Sequence, residues 1–182
     1  KDKRIAVIGE NCYEWGVSYL AVVAGTGVVV PLDKSLPNNE IESLILRSEV
    51  EAIFYTEKYD DIMKTLKDKG NTNIKFFISM NLEKNENDIY SFKQLIDEGK
   101  ELLNNGDKRF LEAEINPDVM NIMLFTSGTT AMSKAVMLSQ NNIVSNLFDI
   151  SSTIKLVPED RMLSFLPLHH TFESTVGFLY PI

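Results

Sequence analysis

The chain has 182 residues, 44% of them hydrophobic and 24% charged, which is long and apolar enough for one sizeable core and is the profile of an ordinary globular protein. Its formal net charge of −8 argues against a nucleic-acid partner, because phosphodiester backbones favour a basic face. A single cysteine, Cys12, excludes an internal disulfide and a cysteine metal cluster and fits a reducing compartment.

The opening Lys-Asp-Lys-Arg runs straight into a strand-like stretch with no leader pattern. The chain starts without Met and stops inside an apolar stretch, so we expect it to be cut from a longer protein at both ends. Its longest apolar region, 19–32, is interrupted by Gly and Thr and is too short to span a bilayer.

Residues 4–9 read as a short buried strand, and Asn11 is a candidate cap for the helix behind it. Trp15, Tyr19 and Val22 fall on one face of that helix, which Gly25 and Gly27 end. Residues 28–31 are the next strand. A helix starting at Asn38 or Asn39 puts Ile41, Leu44, Ile45 and Ser48 on its inner face, with acidic residues early and Arg47 late, as the macrodipole favours.

Residues 52–55 are a strand, 60–69 a charged helix closed by Gly70, and 74–79 a strand again. After a polar loop over 83–88, Ser91 and Gln94 have capping-box spacing, with Leu95, Ile96, Leu102 and Leu103 as the buried face behind them. Residues 104–107 break that helix, and the charged piece to Pro117 is a connector within one domain. Residues 121–125 and 135–138 are strands. Ser139 caps a further helix with Ile143, Leu147, Ile150 and Ile154 inward. Pro158 to Asp160 is a turn, 161–166 a strand, and the remainder from Thr171 is helical. Alternating strands and helices, without a repeat or low-complexity tract, predict an α/β fold with a mostly parallel sheet flanked by helices.

Between two of these strands lies Thr126-Ser-Gly-Thr-Thr-Ala-Met-Ser-Lys134, with five hydroxyl side chains, one Gly and one Lys in nine residues. On composition alone it reads as a polar surface loop. Order and spacing point to anion binding. Hydroxyls and backbone N–H groups donate to phosphate oxygens, Gly128 permits close approach, and Lys134 supplies a point charge. It is a poor Walker loop: Ser133 stands where the second Gly belongs, Ala135 follows the Lys, and a strand follows where a helix should.

The stretch resembles the phosphate loop of the adenylate-forming (AMP-binding) enzymes, T-S-G-T-T-G-x-P-K-G-V. Thr126, Ser127, Gly128, Thr129, Thr130, Lys134 and Val136 match. Ala131, Ser133 and Ala135 replace Gly, Pro and Gly, which questions how far the loop is preorganised.

A second stretch, Leu166-Pro-Leu-His-His-Thr-Phe-Glu173, carries both histidines of the chain at the end of an expected strand. Taken alone, His169 and His170 fit a hydrogen-bonded turn, and an adjacent pair is a poor metal pattern. The stretch resembles L-P-L-x-H-x-F-E of the long-chain acyl-CoA synthetase branch, with His170 as the shared His. Residues 9–15, 30–37 and 40–54 also look like the opening region of those enzymes, though core packing accounts for Trp15, Ile41, Ile45 and Phe54.

The resemblance implies that residues 1–182 are part of the N-terminal AMP-binding domain of an ATP-dependent fatty-acid–CoA ligase, with the C-terminal domain absent. It implies ATP, coenzyme A and Mg²⁺, whose main ligand would lie outside this stretch. Thr126, Ser127, Gly128, Thr129, Thr130 and Lys134 would bind nucleotide, with His170 and Lys134 in the chemistry. It implies small-molecule partners, a cytoplasmic setting, no transmembrane segment, and leaves peripheral membrane contact open. Two alternatives stand beside it: an acyl carrier protein as acceptor, and a degenerate member that binds acyl chains or nucleotide without turnover.

Overall fold

A computed structural model describes residues 2–25, 27–126 and 133–182. Five of its seven strands lie in the first half of the chain: β1 (Arg4–Ile8), β2 (Val28–Pro31), β3 (Ala52–Tyr55), β4 (Phe76–Ser79) and β5 (Ile89–Ser91). β6 (Met120–Thr126) and β7 (Lys134–Ser139) follow. The helices are α1 (Tyr13–Val23), α2 (Asn38–Ser48), α3 (Asp60–Lys69), α4 (Phe92–Asn104) and α5 (Gln140–Thr153). A short 3-10 turn precedes α3, and a π-helical turn spans Glu173–Leu179.

The strands form one sheet in the order β5-β4-β3-β1-β2-β6-β7, parallel at every junction but the last. This bears out the mostly parallel α/β expectation. β1 sits between β2 and β3, so the chain reverses its direction of winding there. A switch of that kind opens a crevice at the carboxyl ends of the strands.

Strand residues divide between two apolar layers by their period of two. Ala6, Ile8, Val30 and Ile53 face α2 and α3, meeting Ile41, Leu44, Ile45, Met63 and Leu66. Val7, Val29, Ile122 and Leu124 face the other way, toward Trp15, Tyr19, Val22, Ile143 and Leu168. Trp15 and Tyr19 stack at 5.4 Å, and Phe178 of the π-helical turn meets both rings edge-on. Gly16 permits this packing, since a Cβ there would stand 3.1 Å from the Phe178 ring.

Several expectations need correction. Asn11 does not cap α1: Cys12 is the cap residue and no side chain bonds there. Residues 161–166 form no strand; they join no β-ladder among the described residues, and Leu163 and Phe165 are 81% and 72% exposed. An extended apolar segment becomes a strand only where a ladder partner completes its hydrogen bonds. Leu102, Leu103 and Ile154 are exposed, because α4 and α5 meet the sheet only along their earlier turns. β5 was not anticipated. It has three residues and follows Asn87 and Asp88, both at positive φ, so its pattern is too short to read.

Candidate functional site

β1, β2 and β6 run parallel, so their carboxyl ends share one edge of the sheet. Glu10 and Asn11 leave β1 there, Asp33 lies just past β2, and Thr126 ends β6. β7 turns back against β6 with Thr126 directly across from Lys134. Both are exposed. An antiparallel hairpin therefore carries a hydroxyl and an ammonium to the same edge. Among the described residues Lys134 has no ion-pair partner, so its charge is not spent on a neighbour. Ser127, Gly128, Thr129 and Thr130, predicted to bind phosphate, lie outside the described residues, as does Ala131.

The stretch around His170 is brought to that edge by two ties. Asn11 donates from Nδ2 to the Leu166 carbonyl (2.7 Å) and accepts the Leu168 N–H at Oδ1 (3.1 Å). Leu168 itself is buried against Trp15 and its neighbours. His169 Nε2 lies 3.2 Å from Asp33 Oδ1, which also accepts the Ser35 N–H. Burial pushes the His169 pKa down, and the nearby Asp33 carboxylate only partly offsets this. The ring is therefore held toward its neutral form beside the Asp33 carboxylate.

His170 is the exposed member of the pair. Its N–H donates to the Pro167 carbonyl and its own carbonyl accepts from Ser174, both at 2.9 Å. Its backbone is thus fixed while its imidazole faces outward at the sheet edge. Behind it Glu173 is only 3% exposed, and its Oε1 has no hydrogen-bond partner among the described residues.

The structure therefore brings Thr126 and Lys134 together and sets His170 on the same edge. Sequence reasoning missed Asp33 as a side-chain partner, missed the true role of Asn11, and missed Arg47. Arg47 donates to Ser133 Oγ and to the Ser133 carbonyl, and its guanidinium carbon sits 5.5 Å from the centre of the Phe125 ring. The position of Asp33 just past a strand was a usable signal; nothing local marks Arg47. Among the described residues there is no cluster of three acidic, histidine or cysteine side chains that could hold a metal, and no helix is long and apolar enough to cross a membrane.

The family model described as AMP-binding enzyme matches residues 1–182, the whole length of the chain. The chain belongs to the AMP-binding enzyme family. It is 31% identical over 180 residues to a CoA ligase of Gibberella moniliformis, covering 99% of this chain and 27% of that protein. It is 30% identical to long chain acyl-CoA synthetase 3 of Arabidopsis thaliana, covering 97% of this chain and 28% of that one. The chain thus spans little more than a quarter of these relatives. Among solved structures, a long-chain-fatty-acid-CoA ligase from Archaeoglobus fulgidus superposes with a TM-score of 0.79 at 20% identity, covering 98% of this chain and 33% of that one. ATP-bound MatB from Rhodopseudomonas palustris superposes at 0.73 with 23% identity, again over 98% and 33%. These likenesses show a shared fold.

Proposed function

We propose that residues 1–182 are the leading part of the N-terminal AMP-binding domain of an acyl-CoA synthetase, and that the hairpin of β6 and β7 grips the triphosphate of ATP. The observation that carries the reading is the Thr126–Lys134 ladder pair on the sheet edge that also holds the His170 turn. In the first half-reaction a fatty carboxylate oxygen bonds to the α-phosphorus of ATP and the bond to the bridging oxygen breaks, releasing pyrophosphate. In the second, coenzyme A thiolate bonds to the acyl carbon and AMP leaves.

Charge builds on phosphate oxygens in the first half. A lysine and preorganised hydroxyl donors stabilise that charge most where it develops. Thr126, Ser127, Thr129, Thr130 and the backbone at Gly128 would donate to the β- and γ-phosphates, and Lys134 would neutralise them. The exposed His170 ring would donate to an acyl or phosphate oxygen. Mg²⁺ would lower the phosphate charge further; it needs only one or two carboxylates beside the phosphates and water, and the resemblance assigns its main carboxylate to a part of the enzyme beyond residue 182.

The acceptor is coenzyme A and the activated acid a long-chain fatty acid, in keeping with the acyl-CoA synthetases and CoA ligases that the chain resembles; a reducing cytoplasmic setting accords with the cysteine usage. The chain has one cysteine, Cys12, and it is free. Residues 1–182 alone would turn nothing over, because the reading assigns the metal ligand and the acceptor site to other parts of the enzyme. ATP–pyrophosphate exchange tests this. In the full-length protein, Lys134→Ala should lower fatty-acid-dependent exchange by an order of magnitude or more, about 1.4 kcal/mol or above. Unchanged exchange would sink the assignment, and fatty-acid-dependent exchange by residues 1–182 alone would refute the division of labour.

A further inference from the structure

Arg47 lies in the last turn of α2, where a cation suits the helix dipole. The fold gives it a second task. Nη1 donates to Ser133 Oγ across 3.1 Å and Nη2 to the Ser133 carbonyl across 2.7 Å. The guanidinium also sits over the Phe125 ring, 5.5 Å from its centre. Phe125 is the penultimate residue of β6, and Ser133 directly precedes β7. One side chain therefore touches both stems from which the hydroxyl stretch leaves the sheet. The residues it holds are the immediate neighbours of Thr126 and Lys134.

The chemistry suits arginine and not lysine. A planar guanidinium can stack on a ring with its face and donate two directed hydrogen bonds from its edge. An ammonium does one of these at a time. Ser133 is also the position at which the family signature carries proline. A proline would restrict φ from within the chain. Serine leaves that freedom, and the Arg47 contacts remove it from outside.

We propose that Arg47 is a positioning residue of the nucleotide site, clamping Ser133 and Phe125 so that Lys134 is held ready for phosphate. This rests on the reading of Lys134 as a phosphate contact. The clamp acts through Lys134 and touches no ligand itself.

The test is ATP titration calorimetry and thermal melting of the full-length protein in four variants. Arg47→Ala should weaken ATP binding about tenfold, the scale of one lost charge-assisted hydrogen bond. Arg47→Lys keeps a cation at the end of α2, so it should restore the melting temperature but not the affinity. Ser133→Pro added to Arg47→Ala should recover most of the affinity, since Pro supplies the lost restraint. If Arg47→Ala lowers the melting temperature while ATP affinity stays within about twofold of the wild type, the residue is merely structural and the proposal fails. It fails too if the proline leaves the Arg47→Ala defect untouched. Lys134→Ala separates the two levels. Wild-type affinity in that variant removes the phosphate reading and the clamp with it. Weak binding there, beside normal binding in Arg47→Ala, removes the clamp alone.

Discussion

Asn11 and Leu168 are 157 residues apart in sequence, and the Asn11 amide oxygen accepts the Leu168 N–H across 3.1 Å. With the second bond to the Leu166 carbonyl, one side chain holds two backbone groups of the stretch that leads into His170. This makes Asn11 a tie between the end of β1 and the segment after 165, in place of the helix cap its position suggests.

Asn11→Ala should therefore destabilise the turn more than the protein. We expect about 1 kcal/mol in urea unfolding, since the site is exposed and water competes for both groups. Amide exchange at 166–170 should quicken severalfold, as local opening becomes easier. Asn11→Asp keeps the acceptor and loses the donor, so it should fall between. Unchanged exchange at Leu168 in the Ala variant would remove the tie.

The His169–Asp33 contact sets a pH dependence. His169 titrates below its ordinary value in the folded state because burial disfavours the charged ring. The unfolded chain then binds more protons than the folded one as pH falls through and below about 6.5, the unperturbed imidazole value. Stability contributed by the neutral ring is thus full at higher pH and is lost on acidification through that window. The melting temperature should fall between about pH 7.5 and 5.5, and the fall should be shallower in His169→Asn, which stays polar without titrating. Asp33→Asn removes the charge that opposes the shift, so its fall should be steeper.

Glu173 and Gly177 are neighbours in the π-helical turn, and a Cβ at Gly177 would lie 2.6 Å from the buried Glu173 carboxyl group. Gly177→Ala should cost about 1–3 kcal/mol, the usual scale of overpacking, because a buried side chain has nowhere to retreat. Glu173→Met should raise stability by about 1 kcal/mol or more, since it removes a buried carboxylate whose Oε1 lacks a partner. Urea unfolding of both variants checks the pair. A destabilised Glu173→Met would mean that the carboxylate is matched by a donor after all.

Two serine caps should differ in weight. Ser139 forms a complete capping box with Asn142 at the start of α5. Ser91 accepts from the Gln94 N–H, but the Gln94 side chain bonds Asn85 instead, so only half of the anticipated box exists. Ser91 Oγ also donates to the Leu82 carbonyl, and the residue is fully buried. Ser139→Ala should cost about 1 kcal/mol. Ser91→Ala should cost more, about 2 kcal/mol, because it removes a second hydrogen bond, to the half-buried Leu82 carbonyl, and leaves a hole at a fully buried position. The reverse order in thermal melts would show that burial at Ser91 matters less than the complete box.

Features that depend on near neighbours in the chain were legible from residue order. Ile41, Leu44, Ile45 and Ser48 repeat at helical spacing, and all four are buried on α2. Gly70 closes α3 at φ +59°, the left-handed turn glycine favours. The hydroxyl stretch and the His170 motif could be located, and the family with them, because short motifs keep their residue order whatever the fold. Tertiary structure alone decided that 161–166 forms no strand, because that outcome depends on a ladder partner and not on propensity. It alone turned Asn11 from cap to tie, paired His169 with Asp33, and laid Arg47 across Ser133 and Phe125. Each of these joins residues distant in sequence, and hydrogen bonds of that reach are set by which strand ends share an edge, a relation no local pattern encodes.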